Sequence, residues 1–129
     1  MYHVTNFTKG LQHLGIPTQN IEDTIAFYCS IGFELIQTYE TETGKVAFLK
    51  CDNLIVETYE SETVSMQHGA IDHFCIDVDD IEKVYCLAKQ NNLSIIDKNI
   101  QFLPFWENGV RFFNIIGPNG EKIEFGQIL

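Results

Sequence analysis

Four residues in this 129-residue chain have the types and the spacing to hold a metal ion: His13, Glu57, His73 and Glu124. Imidazole nitrogen combined with carboxylate oxygen suits borderline divalent ions such as zinc, nickel, cobalt, iron or manganese. On an ion that accepts six ligands, four protein groups leave two positions for water or substrate oxygens. That is a catalytic arrangement rather than a closed structural one. Taken singly, a histidine in a strand is more often a hydrogen-bonded structural residue, and a glutamate in an apolar strand usually faces solvent. The four stand out because they occupy equivalent positions of an internal repeat.

The repeat is read by placing Leu11–Ile36 over Ile71–Ile96 at a constant shift of 60. His13 then meets His73, Ile16 meets Ile76, Glu22 meets Glu82, and Leu35-Ile36 meet Ile95-Ile96. GKVAFLKCD (44–52) continues over GVRFFNIIG (109–117) after an insertion of five residues, and two more bring Glu57 over Glu124. Self-similarity of this kind decides the fold class before any local reading does.

Each half must therefore supply the same elements: a strand, a helix, then three strands. The first half predicts a strand near 11–17 and a helix from about 21 to 31. Asn20 or Thr18 caps that helix, Glu22 and Asp23 lie in its first turn, and Gly32 stops it. Strands follow near 33–40, 45–51 and 54–60, with turns at Thr43-Gly44 and Asp52-Asn53. The second half predicts a strand over 71–78, a helix from Asp79 or Asp80 to about Asn91, and strands near 93–98, 110–116 and 121–128. The expected fold is α+β: two βαβββ modules, about 11–60 and 70–129, joined by a polar linker at 61–69 within one domain spanning 1–129.

Strand alternation gives the four residues a common direction. Phe74, Ile76 and Val78 form an apolar face suited to a helix, so His73, Cys75 and Asp77 look the other way. Glu57 lies opposite Val56, Glu124 opposite Ile123 and Phe125, and His13 opposite Leu14. If the two sheets curl toward each other, two histidines and two glutamates converge.

Composition narrows the partners. With 45% hydrophobic residues the chain can build a core. Its net charge of −10 argues against nucleic acid and anionic membranes, both of which need clustered Lys and Arg. No apolar run is long enough to span a bilayer. The scattered cysteines 29, 51, 75 and 86 fit reducing cytoplasm rather than a disulfide framework. The expected partner is a small molecule.

The opening HLGIPTQNIEDTIAFYCSIGFE, the later IDHFCIDVDDIE and the closing GPNGEKIEF resemble the vicinal oxygen chelate superfamily over residues 11 to 128. That superfamily includes glyoxalase I, methylmalonyl-CoA epimerase, extradiol dioxygenases, and fosfomycin- and bleomycin-resistance proteins. The resemblance implies a cupped, incomplete eight-stranded barrel around one divalent ion and no organic cofactor. It also implies a homodimer in which the cup closes within one chain or between two. His13, Glu57, His73 and Glu124 match the ligand positions, and a His-Glu-His-Glu set is similar to bacterial glyoxalase I. The implied activity is that of a lyase or isomerase converting a hemithioacetal or α-hydroxycarbonyl through a metal-bound enediolate. Glu124 or Glu57, when displaced from the metal, would move the proton, with Glu124 favoured. The alternatives are an epimerase of another chelating molecule and a non-catalytic, resistance-type binding module.

Substrate contacts are less evident. Glutathione adducts usually meet arginines, and Arg111 is the only one here; it serves either a substrate or a surface ion pair. Lys45, Lys50 and Lys122 are the other cations on strands. The inserted segment 102–109, with Phe105 and Trp106, either walls the substrate pocket or plugs a dimer interface.

Overall fold

The computed structural model describes residues 3–129. After a short 3-10 turn at Val4–Asn6, the first half forms β1 (Leu14–Thr18), α1 (Ile21–Ser30), β2 (Glu34–Thr41), β3 (Gly44–Cys51) and β4 (Leu54–Glu60). The second forms β5 (Phe74–Asp77), α2 (Ile81–Gln90), β6 (Ser94–Ile95), β7 (Gln101–Leu103), β8 (Val110–Ile116) and β9 (Lys122–Ile128). The chain divides into two compact units, residues 1–64 and 65–129. The fold is α+β, and each unit has one helix and one open mixed sheet.

The sheets repeat one strand order. In the first unit it is β1-β4-β3-β2, and in the second β5-β9-β8-β6. In both, the first strand lies parallel to the last, and the remaining pairs are antiparallel. β7 is an addition. It shares one edge of β8 with β6, pairing Gln101 with Phe112 and Leu103 with Val110.

The helices start and stop alike. Asn20 accepts from the Asp23 amide and Asp80 from the Lys83 amide, each satisfying a donor the helix leaves free. Both ends close with a left-handed residue at repeat-equivalent positions, Gly32 (φ +106°) and Asn92 (φ +56°). These are the two residue types that tolerate that conformation best.

In the first unit the core lies between α1 and one face of the sheet. Ile21, Thr24 and Tyr28 of the helix and Ala47, Leu49, Val56 and Thr58 of the strands are buried there. Tyr28 is wholly buried, with Phe27 and Phe33 edge-on at 4.9 and 5.1 Å. In the second unit Ile81 and Ala88 of α2 are buried, as are Phe113, Ile115, Ile123 and Phe125 of the sheet; Tyr85 stands edge-on to Phe113 at 4.9 Å. With alternate residues committed to these cores, the residues between them are left for the opposite face. Among the described residues no helix is long and apolar enough to cross a membrane.

Candidate metal-ligand pairs

Parallel pairing builds the same constellation twice. In the first unit Gly15 lies beside Glu57, and His13 stands two residues earlier, just before β1. In the second unit Cys75 lies beside Glu124, and His73 stands two residues earlier, just before β5. A two-residue step keeps a side chain on the same face. Each histidine therefore reaches the carboxylate one strand over: His13 Nε2 is 3.6 Å from Glu57 Oε1, and His73 Nε2 is 2.9 Å from Glu124 Oε2. Both histidines lie one residue ahead of the strands expected to contain them.

The second ring nitrogen is engaged in both. His13 Nδ1 is 2.9 Å from Gln12 Oε1, and His73 Nδ1 is 2.8 Å from Asp72 Oδ2. An ionised carboxylate only accepts, so the Asp72 contact places a proton on His73 Nδ1. Each Nε2 faces its glutamate, which likewise only accepts, so an ion bound there would take the place of a proton between the two. The hydrogen bond from His73 and then that from Lys122 hold the Asp72 carboxyl below its ordinary pKa.

The surroundings of the two pairs differ. Phe48 pairs across the strands with Glu57 and stands edge-on to His13 at 6.1 Å, with Tyr39 against Phe48 at 6.2 Å. Across from Glu124 stands Asn114, whose backbone and side-chain N–H groups both donate to Asp97 Oδ2, at 2.7 and 3.1 Å. Asn114 Oδ1 is buried with no hydrogen-bond partner among the described residues. The Cys75 thiol lies against Glu124. Desolvation first, then the charge of that carboxylate, push its pKa up to about 12. It is therefore a neutral thiol at physiological pH.

Among the described residues no group of three or more His, Cys, Asp or Glu is placed to hold a metal ion; each unit joins two of the expected four. Arg111 takes the ion-pair alternative. It shares a side of β8 with the buried Phe113 and Ile115, and its guanidinium meets Glu82 in the first turn of α2. Lys45 does the same in the first unit, with its Nζ 3.2 Å from Glu22 in the first turn of α1. Phe105 and Trp106 are exposed in the β7–β8 connection. That connection adjoins the pairing of Val110 with Ile128, four residues or roughly 13 Å along β9 from Glu124.

Sequence reasoning passed over Gln12, Asp72 and Asn114. A signal for the first two was present, because polar acceptors precede both repeat-equivalent histidines. Asn114 sits inside an apolar strand and shows itself only through its contact with Asp97.

Comparison with known proteins agrees with this architecture. The family model described as Glyoxalase/Bleomycin resistance protein/Dioxygenase superfamily matches residues 10–125. The Bacillus subtilis (strain 168) protein YwbC is 34% identical over 128 residues, covering 92% of this chain and 98% of its own. A glyoxalase family protein from Enterococcus faecalis superposes with a TM-score of 0.77 at 20% identity, over 93% of this chain and 98% of that one. The fosfomycin resistance protein FosX from Listeria monocytogenes does so with 0.75 at 17% identity, over 95% of each chain.

Proposed function

Because the chain belongs to the glyoxalase/bleomycin resistance protein/dioxygenase superfamily, we propose that it is a metal-dependent lyase or isomerase of the glyoxalase I type. Its substrate would be a hemithioacetal or another α-hydroxycarbonyl. The observation that carries this reading is a His–Glu pair at repeat-equivalent positions of both units, with each Nε2 turned to its carboxylate.

The spacing within each pair is compatible with two adjacent ligands on a divalent ion. Two donors bound side by side at about 2.1 Å stand roughly 3.0–3.4 Å apart, close to the 2.9 and 3.6 Å found between Nε2 and carboxylate oxygen. His13, Glu57, His73 and Glu124 would hold one zinc, nickel, cobalt, iron or manganese ion, the two pairs coming from one chain or from two copies of a homodimer. Once bound, that ion would polarise the substrate carbonyl and make the neighbouring C–H acidic.

The protein groups carry the proton. Glu124 is the less exposed carboxylate, 18% against 26% for Glu57, and is the favoured base. One of its oxygens takes the proton from the hydroxyl-bearing carbon, and the same group returns it to the adjacent carbon. The result is an isomer with no net redox change. The neutral Cys75 thiol beside it does not compete as a nucleophile at physiological pH.

Lys45 and Arg111 are both paired with helix glutamates. This favours a neutral or monoanionic guest over the dianionic glutathione adduct. A cytoplasmic location agrees with four free cysteines.

The test is metal analysis of the purified protein, then turnover of methylglyoxal with glutathione, with other thiols, and of simple hydroxycarbonyls. Stoichiometric divalent metal and isomerisation lost on His73→Ala are expected. A protein that binds no divalent ion and is indifferent to chelator would overturn the proposal, and metal binding without turnover would reassign it to small-molecule binding.

A further inference from the structure

The two metal-ligand pairs are built alike but are not electronically equal. At repeat-equivalent positions 12 and 72, the partner of the histidine Nδ1 is a neutral amide oxygen in one unit and a carboxylate in the other. The carboxylate is itself fixed from two further directions. Lys122 Nζ donates to the oxygen that His73 uses, at 3.3 Å, and His68 Nε2 lies 3.6 Å from the other oxygen. Asp72 is therefore held at its contact with His73, while among the described residues the Gln12 side chain hydrogen-bonds only to His13.

The geometry points to Asp72 as a positioning residue that makes His73 the stronger of the two histidine donors, so that the His73–Glu124 pair grips a divalent ion more tightly than the His13–Glu57 pair. The inference rests on the metal-site reading above. A carboxylate accepting from Nδ1–H draws the proton outward and leaves more electron density on Nε2 than an amide oxygen does. It also locks the ring, so less freedom is lost when an ion arrives. The charge on Lys122 keeps the carboxylate in place.

Zinc affinity of the full chain, measured by competition with a chromophoric chelator, tests this with four variants. Asp72→Asn keeps an acceptor and removes the charge, and zinc binding is expected to weaken about tenfold. Asp72→Ala removes both and should weaken it further. Gln12→Ala is expected to cost no more than about threefold. The decisive variant is Gln12→Asp, which copies the second unit's arrangement into the first and should tighten zinc binding several-fold. Misfolding cannot mimic a gain. Nitrogen-15 spectra of the zinc-loaded protein supply a second readout: an Nδ1–H signal from His73 that is protected from exchange in the wild type and lost in Asp72→Ala.

Equal losses for Asp72→Asn and Gln12→Ala, or no gain from Gln12→Asp, would overturn the inference and leave the metal site standing. Failure of the wild-type protein to take up zinc, nickel or cobalt at all would overturn the metal reading and this inference with it.

Discussion

Gly126 offers the sharpest probe of how tightly the second His–Glu pair is seated. It lies in β9 two residues beyond Glu124, on the same face, with a backbone conformation open to any residue. A Cβ added there would stand 3.0 Å from Cys75 Sγ and 3.4 Å from Glu124 Oε1. The first is tighter than ordinary packing and the second stands at its lower edge, and both involve ends of side chains that can yield by a few tenths of an ångström. Alanine also removes about 0.4–1 kcal/mol of unfolded-state freedom, set against about 1–3 kcal/mol for overpacking. Gly126→Ala should therefore destabilise by only about 1 kcal/mol while displacing the Glu124 carboxylate. A shift of a few tenths of an ångström at a ligand and base should lower metal affinity and turnover together, by roughly three- to tenfold. Gly15→Ala is the control. It takes the place of Cys75 in the first unit, on the strand beside Glu57, where a Cβ meets Glu57 Oε1 at 3.6 Å and Tyr59 at 3.7 Å, both ordinary contacts. It should change neither quantity by more than about twofold. Adding Cys75→Ala to Gly126→Ala should restore part of the loss. Denaturant titration and metal competition on the four proteins suffice. Equal effects at both glycines, or none at Gly126, would refute the reasoning.

Glu124→Gln, with metal kept saturating, should lower kcat by about 10²–10⁴, whereas Glu57→Gln should act mainly on metal affinity; the reverse pattern would move the base to Glu57. At pH 8 a thiol with a pKa of about 12 is about one part in ten thousand thiolate, so Cys75, although exposed like Cys29 and Cys86, should label with iodoacetamide far more slowly than either. Mass-spectrometric mapping of the adducts checks this. Trp106→Ala removes a ring that is 71% exposed and remote from Glu124. It should leave metal content untouched, and a raised KM would assign the insertion to the substrate while a shift in sedimentation would assign it to the dimer. Tyr28→Ala empties the centre of the first unit's core and should cost about 3–5 kcal/mol, read by thermal unfolding.

The repeat made most of this architecture legible. Equivalent positions implied equivalent strand orders, and the alternation at 54–59 and 122–125 put both glutamates opposite the core, as the buried Val56, Ile123 and Phe125 require. Each helix cap was narrowed to two short polar candidates, Asn20 or Thr18 and Asp79 or Asp80, and Asn20 and Asp80 are the ones that take up a free amide. β7 was not legible. Its three residues precede Pro104 in an aromatic run without alternation, and only the free edge of β8 makes them a strand. The fate of Arg111 was equally hidden, since its partner Glu82 lies 29 positions away and on a different element. Long-range charge pairing leaves no period in a sequence.

The parallel contact between the first and last strands also sets an order of events. β1 meets β4 across some forty residues of intervening chain, and β5 meets β9 across nearly fifty. Closing such a span costs entropy that the local turns between β2 and β3, and between β8 and β9, do not incur. Each His–Glu pair thus comes into being only as its sheet closes, after helix and hairpins have formed. An ion that needs both members of a pair would find little to bind in the folding transition state. Divalent metal should then slow unfolding while leaving the refolding rate nearly unchanged. In a chevron plot it would lower the unfolding limb alone, making the ion a latch on the finished fold rather than a nucleus for it.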